Sequence, residues 1–206
     1  MNARAPELDL LPALAEMPAE FQQCFNAQRA AYLAQPEPSL AQRRSDLDAL
    51  ARLLKDNREA LVRAIHLDYG NRSEFETLFA ELFVALEAIK DVSRQLKKWM
   101  KPQRRHIDVM MFPGASNRVI PQPLGVVGVI VPWNFPLNLS FCPLAAIIGA
   151  GNRAMVKMSE NSRHLAELLV EISPRYLPVE KLQFFTDGGG RGPAFSSLPF
   201  DHLLFT

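Results

Sequence analysis

Chemistry is easiest to see in the short run Pro132-Trp133-Asn134-Phe135-Pro136, which follows the β-branched stretch 126–131. A proline on each side fixes the backbone, so the Asn134 amide is held in a set direction at the carboxyl end of a strand. A fixed amide in that place can donate to a developing oxyanion. Asparagine also serves as a cap for the helix that follows, and on the residues alone the cap is the simpler role. Lys157 and Glu160 stand three apart in the turn after a second apolar stretch. Taken alone, they read as a solvated charge pair, and Trp133 reads as core filler. Gly188 and Gly189, within Asp187-Gly188-Gly189-Gly190, are explained by the needs of a turn. No G-x-G-x-x-G follows the first strand, so the usual dinucleotide fingerprint is absent.

Other chemistries find little support. Cys24 and Cys142 form neither a disulfide framework nor a zinc spacing, and read as small buried or half-buried side chains. His66, His106, His164 and His202 lie far apart, so no metal site is expected. Lys+Arg at 23 against Asp+Glu at 22 leaves a net charge of +1, which gives no electrostatic footprint for nucleic acid. The 48% hydrophobic content is that of an ordinary globular chain. The apolar runs are too short and too interrupted by Gly, Pro, Trp and Asn to span a bilayer. Residues 1–20 mix Glu7, Asp9 and Glu16 among leucines, which a secretory signal would not. A reducing cytoplasm is the expected compartment.

Two styles of sequence position these residues. Up to about Arg105 the chain is charged and helical in period. Across 39–68, Leu40, Leu47, Leu50, Leu54, Leu61 and Ile65 recur at helical steps, which predicts one helix. Ser73 and Glu76 have capping-box spacing. They open a second helix whose stripe includes Phe75, Leu78, Phe79, Leu82, Phe83 and Ile89. Its aromatics are expected to pack in the core. Residues 107–112 and 118–121 around Pro113-Gly114-Ala115-Ser116-Asn117 predict a β-hairpin. Beyond it, strand and helix alternate: strands at 126–131, 154–157, 182–185 and 202–205, and helices at 137–150, 162–172 and 193–198. Gly149, Gly151 and Asn152 close the first of those helices. That alternation predicts an α/β fold, a Rossmann-like parallel sheet with helices on both faces. Ligands in such sheets sit beyond the carboxyl ends of the strands. A chain ending on an apolar strand is expected to be truncated, with more sequence after Thr206.

Several blocks together resemble the aldehyde dehydrogenase superfamily in order and spacing. They are Pro121-Gln122-Pro123-Leu124-Gly125-Val126-Val127-Gly128, Val131 to Pro136, Gly149-Ala150-Gly151-Asn152, Lys157-Met158-Ser159-Glu160, and Phe200-Asp201-His202-Leu203-Leu204-Phe205-Thr206. The likeness covers the chain beyond a leader at residues 1–20. It makes 21–206 a partial NAD(P)-binding domain, with the hairpin at about 107–121 as an oligomerisation element. Gln122-Pro123-Leu124-Gly125 and Phe200-Asp201-His202 point to the branch that oxidises fatty and aromatic aldehydes, including coniferyl aldehyde dehydrogenases.

The resemblance implies roles residue by residue. Asn134 is the side-chain half of an oxyanion hole. Lys157 and Glu160 hydrogen-bond the adenosine ribose of NAD or NADP. Ile130, Val131, Pro132 and Trp133 wall the nucleotide, and Gly188 and Gly189 fit the turn near the adenine. It also implies an aldehyde as substrate and a homodimer. Met158 stands where the family usually has proline, which leaves that turn less rigid. Neither Cys24 nor Cys142 matches the nucleophile, which belongs after Thr206 with the general-base glutamate, so the chain alone is expected to be inactive. Two other readings keep the fold: a non-catalytic nucleotide-binding or assembly module, and an enzyme reducing an acyl phosphate or acyl thioester. The second is disfavoured by the Pro132-Trp133-Asn134 environment.

Overall fold

The computed structural model describes residues 17–206, so most of the leader at 1–20 lies outside the described residues. Ala19 and Glu20 already belong to the first helix, α1 (Ala19–Ala34). Four parallel strands form the central sheet: β3 (Val126–Ile130), β4 (Arg153–Lys157), β5 (Leu182–Phe185) and β6 (His202–Phe205), in the order β5-β4-β3-β6. The chain steps outward from β3 to β5 and then returns to the other side of β3. That reversal places a crevice between β3 and β6 at their carboxyl ends, where open α/β sheets take ligands.

Alternation along the strands decides what each face meets. Val127, Val129, Ala154, Val156, Leu182 and Phe184 join the larger core. There they meet α6 (Pro136–Gly149) and α7 (Arg163–Ile172) through Phe141, Leu144, Leu165 and Leu169. Val126, Met155 and Phe185 face the opposite way, into a smaller cluster with Phe21 and Phe25 of α1 and Phe195 of α8 (Gly192–Ser196). Phe21 is fully buried and meets Phe185 and Phe195 edge-on, at 4.9 and 5.3 Å between ring centroids. Burying one such side chain is worth about 1.5–3 kcal/mol. Gly128 is required on this face because a Cβ there would stand 2.5 Å from the Phe200 ring.

The parallel sheet between two helical layers is the expected fold, with strand bounds shifted by at most one residue. The helical half departs from expectation in several places. The helix predicted over 39–68 is two, α2 (Leu40–Asp56) and α3 (Arg58–Tyr69). They break at Asn57, whose side-chain amide donates to the Leu53 carbonyl and competes with the helical ladder.

Ser73 does cap the next helix, accepting from Glu76 N, while the Glu76 carboxylate turns to Arg72. That helix begins as α4 (Glu74–Glu76), runs through a π-helical segment (Thr77–Phe83) and continues as α5 (Val84–Trp99). Its aromatics are not core: Phe75, Phe79 and Phe83 are 76%, 61% and 55% exposed and stack on one another. The apolar stripe is wider than the buried face, which Leu82, Ala85, Ile89 and Leu96 fill.

The hairpin also differs. β1 (Gln103–Arg105) pairs antiparallel with β2 (Asn117–Val119), and residues 107–112 are not a strand. The Asp108 carboxylate accepts from Met110 N and Met111 N, a local turn that takes the backbone away from pairing.

Candidate functional site

The turn after β3 is held by helices from the first half of the chain. The Tyr69 hydroxyl shares its single proton between the carbonyls of Trp133 and Asn134. The Arg72 guanidinium lies over the Tyr69 and Phe135 rings, 4.2 and 4.6 Å from their centroids. Its charge meets Glu81, which is fully buried, at 3.0 Å. The other Glu81 oxygen accepts from Leu137 N at 2.7 Å and Asn138 N at 3.2 Å. Glu81 therefore caps α6 from a distant helix, satisfying N–H groups that a helix start leaves free. Burial pushes its carboxyl above the ordinary range, opposed by those two N–H bonds and by Arg72.

This arrangement removes the capping role weighed for Asn134. The residue before α6 is Phe135, and α6 has no side-chain cap from it. The Asn134 side chain is exposed and makes no hydrogen bond among the described residues. One turn into α6, Asn138 donates to the Ala80 carbonyl and accepts from the Cys142 thiol. The arrangement is a clamped backbone carrying one free amide at the carboxyl end of a central strand.

Beside it opens a cleft of about 680 Å³. Ile130, Val131 and Pro132 form one wall, Pro193, Leu203 and Phe205 another, and Lys157, Ser159, Glu160 and Asp187 supply the polar groups. Five residues predicted at the cofactor site thus line one space. Gly188 and Gly189 lie in the loop at its rim, and Gly189, at φ 99°, adopts a backbone conformation suited to glycine. Trp133 is exposed outside the cleft lining, its ring 6.2 Å from that of Tyr69, so it is not core filler.

Lys157 and Glu160 do not pair. The Lys157 ammonium donates to Asp187 at 2.6 Å and to the Met158 carbonyl at 3.2 Å. Glu160 is exposed, with the Ser159 hydroxyl 3.5 Å away. Burial alone would raise the Asp187 carboxyl, but Lys157 and the Gly189 and Arg191 N–H groups hold it below the ordinary range.

Sequence reasoning missed Asp187, Tyr69, Arg72 and Glu81. Asp187 was legible as a carboxylate at a strand's carboxyl end, and Glu81 as a charge in step with Ala85 and Ile89 on a buried helix face. Cys24 and Cys142 are free, half-buried thiols. Burial, with a contribution from Glu180, pushes the Cys24 thiol up to about 12, and burial raises Cys142 as well. Among the described residues no helix is long and apolar enough to cross a membrane, and no cluster of three or more metal-ligating side chains occurs.

Comparison with known proteins gives one consistent result. A model of the "Aldehyde dehydrogenase family" matches residues 13–196. A "Probable coniferyl aldehyde dehydrogenase" of Pseudomonas aeruginosa is 49% identical over 182 residues, 88% of this chain and 38% of the relative. A "Coniferyl aldehyde dehydrogenase" of a Pseudomonas species is 44% identical over 86% of this chain and 36% of its own length. The chain therefore spans little more than a third of these relatives. Among solved structures, a substrate-bound AldH of Staphylococcus aureus superposes with a TM-score of 0.80 at 25% identity, covering 88% of this chain and 39% of that one. An indole-3-acetaldehyde dehydrogenase of P. syringae, solved with NAD+ and IAA, shares the fold with a TM-score of 0.77 at 24% identity, covering 91% of this chain and 38% of that one.

Proposed function

Because the chain belongs to the aldehyde dehydrogenase family, we propose that it is the cofactor-binding part of an NAD(P)-dependent enzyme. The complete protein would oxidise an aromatic or fatty aldehyde, of the coniferyl aldehyde kind, to its carboxylic acid. The observation that carries this reading is the convergence of Ile130, Val131, Pro132, Lys157 and Glu160 on one cleft beside an unengaged Asn134 amide. The cleft suits a dinucleotide: apolar walls for flat rings, a buried ammonium as donor and an exposed carboxylate as acceptor. Bound NAD(P) supplies the two-electron acceptor.

The residues of this chain bind and orient. Lys157 and Glu160 hold the ribose hydroxyls, Ile130, Val131 and Pro132 pack against the nucleotide, Trp133 stands beside it, and Gly188 and Gly189 lie toward the adenine. When a thiolate from outside these 206 residues adds to the aldehyde carbon, the carbonyl π pair moves to oxygen. The Asn134 amide and the cysteine's own N–H donate to that oxyanion. Oxidation leaves a thioester, which water cleaves with help from a glutamate also outside the chain. The β1–β2 arm is the element proposed to pair two copies, and the two free cysteines suit a reducing cytoplasm.

Incubated alone with aldehyde and NAD(P), the 206-residue chain is expected to form no NAD(P)H above blank. A signal abolished by substituting Cys24 or Cys142 would overturn the assignment. Glu160→Gln keeps an oxygen but removes the negative charge of the acceptor for ribose hydroxyls. Loss of a charge-assisted hydrogen bond costs about 1.5–3 kcal/mol, so NAD affinity should fall by that amount in a titration followed by fluorescence. Unchanged affinity would mean that Glu160 does not face the ribose.

A further inference from the structure

Lys157 and Asp187 form an ion pair within the cleft, with side chains only 6% and 4% exposed. Asp187 is tied at both ends: one oxygen takes the Lys157 ammonium at 2.6 Å, the other accepts from Gly189 N at 2.9 Å and Arg191 N at 3.3 Å. A lysine ammonium has three donors. Asp187 and the Met158 carbonyl occupy two of them, which leaves one N–H for a ligand. The Lys157 charge is matched by Asp187, while Glu160 on the same cleft wall has no cationic partner among the described residues.

Arg191, whose backbone N–H bonds Asp187, has its guanidinium engaged elsewhere. It bonds the Thr186 carbonyl and Glu20 and lies 4.5 Å from the Phe21 ring centroid. A neutral diol can use the single free N–H and the Glu160 carboxylate together. A phosphomonoester dianion in the same place meets a compensated lysine and an uncompensated carboxylate.

We propose that Asp187 is a specificity-determining residue which, by matching the charge of Lys157, makes the cleft select a dinucleotide with a free 2′-hydroxyl over one carrying a 2′-phosphate. The proposal rests on the cofactor reading of this cleft and deepens it to NAD rather than NADP. Asp187→Asn keeps an oxygen for Gly189 and Arg191 but frees the ammonium charge, so it acts on the phosphate and leaves the hydroxyl largely unaffected.

The test is binding, followed by fluorescence or calorimetry on the chain itself, with NAD and NADP titrated separately. Wild type is expected to prefer NAD by at least about tenfold, and the margin should narrow as salt screens the repulsion. Asp187→Asn should improve NADP about tenfold relative to NAD. The double variant Asp187→Asn/Lys157→Met should lose that gain, since the freed ammonium is its cause. Wild type binding both cofactors equally, a ratio unmoved by Asp187→Asn, or a gain that survives Lys157→Met would each overturn the proposal. The wild-type comparison needs no variant, so equal binding of the two cofactors overturns the selection even if Asp187→Asn misfolds. Wild type binding neither dinucleotide would instead remove the cofactor reading itself.

Discussion

Asn134→Ala is expected to lower kcat by about 10²–10³-fold in the protein that joins this segment to its nucleophile, a loss of about 2.7–4 kcal/mol of transition-state stabilisation. The expectation rests on what the side chain does not do. It caps no helix and makes no hydrogen bond among the described residues, so its removal leaves the local structure without a broken contact. Its backbone carbonyl still accepts from Tyr69. The loss should therefore appear in kcat, with melting temperature and cofactor affinity near wild type. Asn134→Asp, similar in size but an acceptor only, should be at least as damaging. A kcat within a few-fold of wild type in the alanine variant would remove Asn134 from the oxyanion site.

Glu81→Ala should cost about 3–5 kcal/mol in denaturant unfolding, the range for breaking a buried ion pair from one side. Three groups lose an acceptor at once: the nearly buried Arg72 guanidinium, left with the exposed Glu76 alone, and the N–H groups of Leu137 and Asn138. Glu81→Gln retains an oxygen for those N–H groups and should cost less. Ionisation of Glu81 works against the fold even with Arg72 beside it. Burial lifts the Glu81 carboxyl above its ordinary value of 4.5, so the folded chain holds that proton more tightly than the unfolded one. The contribution of this group is then fullest below pH 4.5 and declines as pH rises through the raised value. Glu81→Gln should abolish that part of the pH dependence. A loss below about 1 kcal/mol in Glu81→Ala would show that the cap and the pair carry little.

The strands were readable because β-branched and aromatic runs bounded by Gly, Pro and Asp announce themselves locally. Leu182–Phe185 and His202–Phe205 fall where the sequence places them. The helical half was harder because its apolar residues serve more than one face. Phe79 has the same spacing and hydrophobicity as a core residue, and only the packing of the π-helical segment on α6 shows it outside. The site divides the same way. Residues within each strand-end turn were recoverable from those turns, whereas the groups that hold them act across distance: Lys157 to Asp187 over 30 positions, and Glu81 to Leu137 over 56. No local pattern encodes such a bond. The Asp108 turn shows the converse error, in which a short apolar run was outcompeted by one side chain bonding its own backbone.

The packing of α1 sets a condition on synthesis. Phe21 and Phe25 bury themselves against Phe185, Phe195 and Phe200, and Arg29 finds Asp201 only 172 positions later. At about 5–20 residues per second, a ribosome needs roughly 10–30 s to deliver those partners. Throughout that interval the apolar side of the first helix has emerged without its native cover. The nascent chain must shield these phenylalanines by provisional collapse or by a holding chaperone until the segment up to β6 is made, so slowing translation should lower the yield of native protein.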